Sequence, residues 1–225
     1  MEPSHTLGLI LLVVTGHGHI DPDHPTGLWL EEFAVPYEVF TEAGYEVVVA
    51  SPDGGEAPVD PRSMPESPSK QEQHALDVLE TTAPLSEAKD RKYDAVFFAG
   101  GHGTMFDFPT DDAVRAVVEA AFETRRPIGL VCHGPAALTG AKTADGEPVA
   151  RGRTLTGFTN EEEQAVGLVE EMPFLLETRL KEQGARFVSV KTFEENVVVD
   201  GNLVTGQNPP SSRKTAQKLL EALGE

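Results

Sequence analysis

The sequence predicts an α/β fold in which a mostly parallel sheet carries helices on both faces. Leu9–Val14 is a continuous apolar run without period-two alternation, as expected of a central strand covered on both sides. Further apolar runs alternate along the chain with stretches of helical period, the βαβ rhythm of a parallel sheet. At 225 residues the chain is long enough to bury a large core, and one domain over 1–225 is expected.

After the first strand comes a loop rich in His, Asp, Pro and Gly, which reaches Gly27. A helix is then expected from about Leu28 to Ala43, with Pro36 as a potential kink. Glu46–Ser51 is the second strand. Residues 53–85 break the rhythm with five prolines, Gly54 and Gly55, and read as an excursion holding a short helix near Gln71–Leu79. Tyr93–Ala99 is the third strand and ends in Gly100-Gly-His-Gly103. Val114, Val117, Val118 and Ala121 mark a helix over Asp111–Thr124. Ile128–Val131 is the next strand. Asp145-Gly146 suggests a hairpin, Thr154–Phe158 a short strand, and Asn160–Glu182 a helical stretch broken near Pro173. Phe187–Val190 and Val197–Val204 read as strands, the latter interrupted by a turn at Asp200-Gly201, and Ser211–Leu223 closes the chain as a helix.

Lys and Arg number 18 against 37 Asp and Glu, and the net charge of −19 disfavours nucleic acid and anionic membranes as partners. A single cysteine excludes an intrachain disulfide and points to a reducing interior. Leu9–Val14 is too short to span a bilayer and lacks the flanks of a signal peptide, so a soluble, cytoplasmic protein is expected.

Ligands in parallel sheets bind at the carboxyl ends of strands. Three features fall there: the loop after Thr15, Gly100–Gly103, and Cys132. Gly134 and Pro135 follow Cys132, and Ala136–Leu138 resume as helix. A sharp strand-to-helix turn lifts a nucleophile out of the sheet, and a helix N-terminus stabilises a thiolate. A buried structural cysteine fits the same stretch. Gly100–Gly103 is either a plain tight turn or a place where a backbone amide approaches a developing oxyanion.

Leu28, Glu32, Val35 and Val39 fall at i, i+4, i+7 and i+11, which puts Glu32 in an apolar stripe and Glu31 on another face. An inward carboxyl has a raised pKa and suits proton transfer near neutral pH; a small rotation of the helix would leave it merely bordering the core. In Glu161-Glu162-Glu163, either Thr159 with Glu162 or Asn160 with Glu163 makes a capping box, so at most one of the three is needed for chemistry. The histidines are His5, His17, His19, His24, His74, His102 and His133, and none lies later, which excludes mechanisms drawing a base from a late loop. His133 is the natural partner of Cys132, although adjacent side chains need not face each other. His17, His19 and His24 with Asp21 and Asp23 are metal-ligand types without helical ligand spacing, and a mobile polar loop is the favoured reading.

Four segments carry a resemblance: Ala99-Gly-Gly-His-Gly-Thr-Met-Phe-Asp, Val131-Cys-His-Gly-Pro-Ala, Thr156-Gly-Phe-Thr-Asn-Glu-Glu-Glu and Val204-Thr-Gly-Gln-Asn-Pro. In this order they resemble the ThiJ/PfpI superfamily, of class I glutamine amidotransferase-like fold. More narrowly, with Thr26-Gly-Leu-Trp-Leu-Glu-Glu, they resemble its stress-chaperone branch, the glutathione-independent glyoxalase III enzymes. The resemblance implies a flavodoxin-like three-layer α/β/α sandwich with Cys132 as nucleophile, His133 as its partner, Glu163 as the third acid and Glu32 as the helix glutamate. It places the oxyanion hole at the backbone N–H groups of Gly101 and His133. It also implies a small reactive dicarbonyl substrate, no cofactor, no assigned metal and a homodimer. Rival readings are a protein deglycase or cysteine peptidase using the same thiol, a thiol redox sensor and a holdase chaperone. The sensor needs Cys132 without turnover, and the chaperone survives its loss.

Overall fold

The computed structural model describes residues 6–224, so His5 lies outside the described residues. β1 (Leu9–Val13) leads through a small hairpin, β2 (His19–Asp21) and β3 (His24–Pro25), into α1 (Leu30–Glu42). β4 (Glu46–Ser51), α2 (Lys70–Leu79), β5 (Ala83–Pro84) and the single turn α3 (Leu85–Ala88) follow. Next come β6 (Ala95–Phe98), the short α4 (Thr104–Asp107), α5 (Asp112–Glu123) and β7 (Ile128–Val131). The chain ends with β8 (Thr154–Leu155), α6 (Asn160–Val166), α7 (Leu176–Glu182), β9 (Arg186–Phe187), β10 (Val197–Asp200), β11 (Leu203–Gly206) and α8 (Ser212–Leu223).

The main sheet runs β10-β11-β7-β6-β1-β4-β5, parallel except for the β10–β11 hairpin at one edge. The pleat of β1 builds the three layers. Ile10 and Leu12 pack with Phe33 and Phe40 of α1, Leu79 of α2 and Leu219 of α8. Leu11 and Val13 face the opposite side, with Leu85 of α3 and Val114, Val118 and Ala121 of α5. Each fully buried aliphatic or aromatic side chain contributes about 1.5–3 kcal/mol, and both faces of the sheet are lined with them. The flavodoxin-like α/β/α arrangement is therefore as expected, as are the helix under Asp111, which caps Val114 N–H at 2.8 Å, and the helix within the 53–85 excursion.

Several local expectations differ in detail. The loop after Thr15 is a two-stranded hairpin, with His24 Nδ1 bonded to Asp21 Oδ2 at 2.6 Å. The strand expected over Thr154–Phe158 is only Thr154–Leu155, which pairs in parallel with Arg186–Phe187 in a separate two-stranded sheet, so the strand expected over Phe187–Val190 is shortened too. The helical stretch from Asn160 to Glu182 is broken across Pro173 as expected, but the break opens earlier, where Gly167 takes a left-handed cap conformation with φ +76°, and helix resumes at Leu176. The segment after Cys132 is a five-residue 3₁₀ turn, Gly134–Leu138, rather than an α-helix. Among the described residues no helix is long and apolar enough to cross a membrane.

Candidate active site

β7 delivers Cys132 into a conformation that β-strands and helices both avoid: its φ is +57°, left-handed for a residue with a side chain. Such a backbone costs about 1–3 kcal/mol and persists only where surrounding bonds fix it. Here Cys132 N–H donates to Gly206 O at 2.9 Å and Cys132 O accepts from Phe158 N–H at 2.8 Å. The elbow aims the thiol at the ring of the next residue, and Sγ lies 3.3 Å from His133 Nδ1, so adjacency is no obstacle to pairing.

The other ring nitrogen, His133 Nε2, is 2.7 Å from Glu163 Oε2. Glu163 is placed by the N-terminus of α6, where Thr159 and Glu162 form the capping box and Asn160 with Glu163 does not. Glu162 is spoken for: its carboxyl accepts from Thr159, from the Phe193 amide, and from the side-chain amides of Gln207 and Asn208. Glu161 is exposed. Only Glu163 of the three faces the thiol's partner. Its second oxygen is 2.8 Å from His102 Nε2, and His102 Nδ1 is 3.1 Å from Arg62 Nη2. Burial opposes ionisation of Glu163, but the His133 and His102 imidazoles bonded to its two oxygens outweigh it and hold the carboxyl well below the usual range. Burial, reinforced by the neighbouring His133 ring and the Arg62 guanidinium, lowers His102 to about 4, so it is neutral at physiological pH.

Glu32 arrives from the first turn of α1, fully buried, so the helix does not rotate it to the border of the core. Its carboxyl lies by the Cys132 thiol and the Gly100 backbone, and neither oxygen has a well-formed hydrogen bond. Burial pushes Glu32 well up. It does the same to Cys132, where the Glu32 carboxyl adds to the effect. The expectation of a thiol acidified by a helix N-terminus is thus reversed: a five-residue 3₁₀ turn offers little dipole, and desolvation dominates. Gly101 has φ +106° and packs so closely on the backbone of Gly27–Trp29 that a side chain cannot fit, which brings its peptide to the cavity wall beside Cys132.

These groups open into one cavity of about 500 Å³. Its apolar wall is formed by Trp29, Phe158, Val166, Phe193, Pro209 and Pro210, and the Phe158 ring lies 4.4 Å from that of His133. The loop after Thr15 does not line it; His17 stacks on Phe106 at 4.8 Å instead. Among the described residues the ring and carboxylate atoms of His102, His133 and Glu163 form the one cluster tight enough to ligate a metal, within 4.8 Å of one another, and His17, His19 and His24 form none. Within that cluster both imidazoles already bond to the Glu163 carboxylate. His102 and Arg62 were not anticipated. Gly100-Gly-His-Gly103 drew attention to its glycines rather than its histidine, and nothing local marks an arginine within a proline-rich excursion.

The model of the DJ-1/PfpI family matches residues 27–222, nearly the whole of the region just described. The chain belongs to the DJ-1/PfpI family. Within DJ-1/PfpI it is 31% identical to the glutathione-independent glyoxalase hsp3101 of Schizosaccharomyces pombe, over 95% of each chain. The crystal structure of glyoxalase III from Candida albicans superposes with a TM-score of 0.87 at 27% identity, covering 96% of this chain and 98% of that one. That of the Rapid Encystment Protein 24 KDa from Francisella tularensis superposes with a TM-score of 0.90 at 33% identity, covering 96% and 99%.

Proposed function

We propose that this DJ-1/PfpI protein is a glutathione-independent glyoxalase that converts methylglyoxal or glyoxal to lactate or glycolate. The observation that carries the reading is the thiol of Cys132 set between two proton carriers of opposite design, an ion-supported imidazole on one side and a buried carboxyl on the other.

His133 Nδ1 takes the thiol proton as Sγ attacks the aldehyde carbon, giving a hemithioacetal whose oxygen is held by the Gly101 and His133 amides. Glu32 in its ionised form, made a strong base by burial, takes the proton from the aldehyde carbon and returns it to the adjacent carbonyl carbon through an enediol. The product of that step is a thioester, and water cleaves it to the 2-hydroxy acid and regenerates the thiol. Glu163 orients His133 and balances its charge. A raised thiol pKa reduces the thiolate fraction but strengthens the thiolate as a nucleophile, with a Brønsted slope of about 0.4–0.5, so the two effects partly cancel. Acceleration then rests on the oxyanion donors, worth about 2.7–4 kcal/mol each elsewhere, and on the proton carriers. A homodimer in the cytoplasm, without nucleic acid or membrane partners, belongs to the same reading and is tested by sedimentation and fractionation.

The deciding experiment measures D- and L-lactate from methylglyoxal, without glutathione and with a chelator, for wild type and Cys132→Ala. Lactate that requires Cys132 is expected. Absence of lactate from folded wild type overturns the assignment.

A further inference from the structure

We infer that the 53–85 excursion is part of the catalytic apparatus: its Asp60–Arg62 clamp fixes the proton positions along His102, Glu163 and His133, so that His133 presents a bare Nδ1 to Cys132. The inference takes Cys132 as the nucleophile and adds Arg62 and His102 as positioning residues.

The argument needs only donor and acceptor chemistry. A guanidinium has N–H donors and no acceptor. Arg62 Nη2 lies 3.1 Å from His102 Nδ1, so that nitrogen must carry the lone pair and the proton of the neutral ring sits on Nε2. His102 Nε2–H then donates to Glu163 Oε1 at 2.8 Å. Glu163 is left with Oε2 for His133 Nε2 at 2.7 Å, and an ionised carboxylate accepts only, so His133 is protonated at Nε2 as well. The nitrogen that remains in the neutral His133 ring, Nδ1, faces Sγ at 3.3 Å with its lone pair. With His102 in the other tautomer, an N–H would oppose the guanidinium and a lone pair would oppose the carboxylate. The Arg62 contact thus sets the tautomer of His102, and by keeping an N–H aimed at Oε1 it supports the ionised carboxylate that sets the tautomer of His133. The rings of His102 and His133 are 4.2 Å apart at their centroids, held side by side by the one carboxylate they share.

The clamp is built to hold Arg62 still. Asp60 is fully buried and binds the guanidinium through two oxygens, Nε to Oδ1 at 3.0 Å and Nη2 to Oδ2 at 2.6 Å. Its carboxylate also accepts from Thr26 Oγ1 at 2.9 Å and from Arg62 N–H at 2.9 Å. The backbone around it is sewn to the strap that precedes α1: Leu28 N–H donates to Pro58 O and Asp60 N–H donates to Leu28 O, both at 2.9 Å. Ser63 Oγ accepts from Leu30 N–H at 3.1 Å, at the start of the helix that carries Glu32. The excursion thus reaches both proton carriers, one through Arg62 and the other through the first turn of α1.

The test reads tautomers without substrate. In ¹⁵N-labelled full-length protein at pH 7, long-range ¹H–¹⁵N correlation is expected to show the Nε2–H form at both His102 and His133. An Nδ1–H form at His102 in wild type overturns the inference. In Arg62→Met, His102 is expected to show both tautomers, and alkylation of Cys132 by iodoacetamide is expected to slow about tenfold, less than the 10²–10⁴ a general base supplies in full. Arg62→Lys, whose ammonium still donates, should recover part of that loss. Unchanged tautomers and an unchanged alkylation rate in Arg62→Met also overturn it. Correct tautomers in a protein that makes no lactate would sink the glyoxalase reading and leave this one standing.

Discussion

Glu32 is a carboxyl placed where ionisation is least favoured, which in the proposed reaction makes its carboxylate a strong base. Glutamine has nearly the same shape without the charge, so Glu32→Gln is expected to abolish lactate formation while Cys132 still alkylates. The sign of its effect on folding follows from the direction of the shift: a raised folded pKa means that protons bind the native state more tightly, so the favourable contribution is complete at acid pH and fades as pH rises through the folded value. Urea titrations should show the variant gaining on wild type by about 1 kcal/mol per pH unit between the unfolded and folded pKa values. Equal pH dependence in the two proteins would mean that Glu32 does not hold its proton. At this scale much of the site was legible, because helical spacing aims Glu32 inward and chain order leaves His133 as the partner of Cys132. Arg62 was not, because it reaches His102 across 40 positions in sequence and only the folded excursion joins them.

The acidic start of α6 shows how one element divides three like residues among unlike tasks. Glu161 is exposed, Glu162 closes the capping box and gathers the loop carrying Phe193, and Glu163 serves the imidazoles. Glu161→Ala should change stability by no more than about 0.5 kcal/mol. Thr159→Ala should lose about 1 kcal/mol, and Glu162→Ala roughly 3 kcal/mol or more, since it strands several buried donors at once. Urea unfolding of the three variants checks the order, and a tolerant Glu162 would refute the division. The sequence left two capping boxes open, and packing chose between them: Thr159 Oγ1 meets the Glu162 amide at 3.0 Å, which leaves Glu163 free to reach the two imidazoles. The left-handed Gly167 and the 3₁₀ turn after Cys132 escaped periodicity for a different reason, since both are decided by how a short segment packs rather than by its spacing.

Across the whole molecule the buried pair His102 and Glu163 sets a limit on acid tolerance. His102 titrates near 4 when folded and near 6.5 when unfolded, so below about pH 6.5 the unfolded chain binds the extra proton and stability falls, by up to about 3 kcal/mol at pH 4. Glu163, depressed in the fold, adds a further loss once pH drops below the ordinary carboxylate range. Measured in high salt to screen the net charge of −19, the midpoint of urea unfolding should fall across this window, and His102→Gln should flatten the upper part of it. A flat wild-type profile would contradict the buried, neutral imidazole. The βαβ order and both layers of the core were readable because each strand and helix repeats its pattern several times, whereas the two-residue strands β8 and β9 exist only through each other. There is, finally, a bookkeeping convenience in a chain that owns one sulfhydryl and places it at the proposed reactive centre. Moles of label bound and moles of sites silenced are the same quantity, so a plot of residual turnover against label is straight for independent subunits and bends when one subunit answers for another.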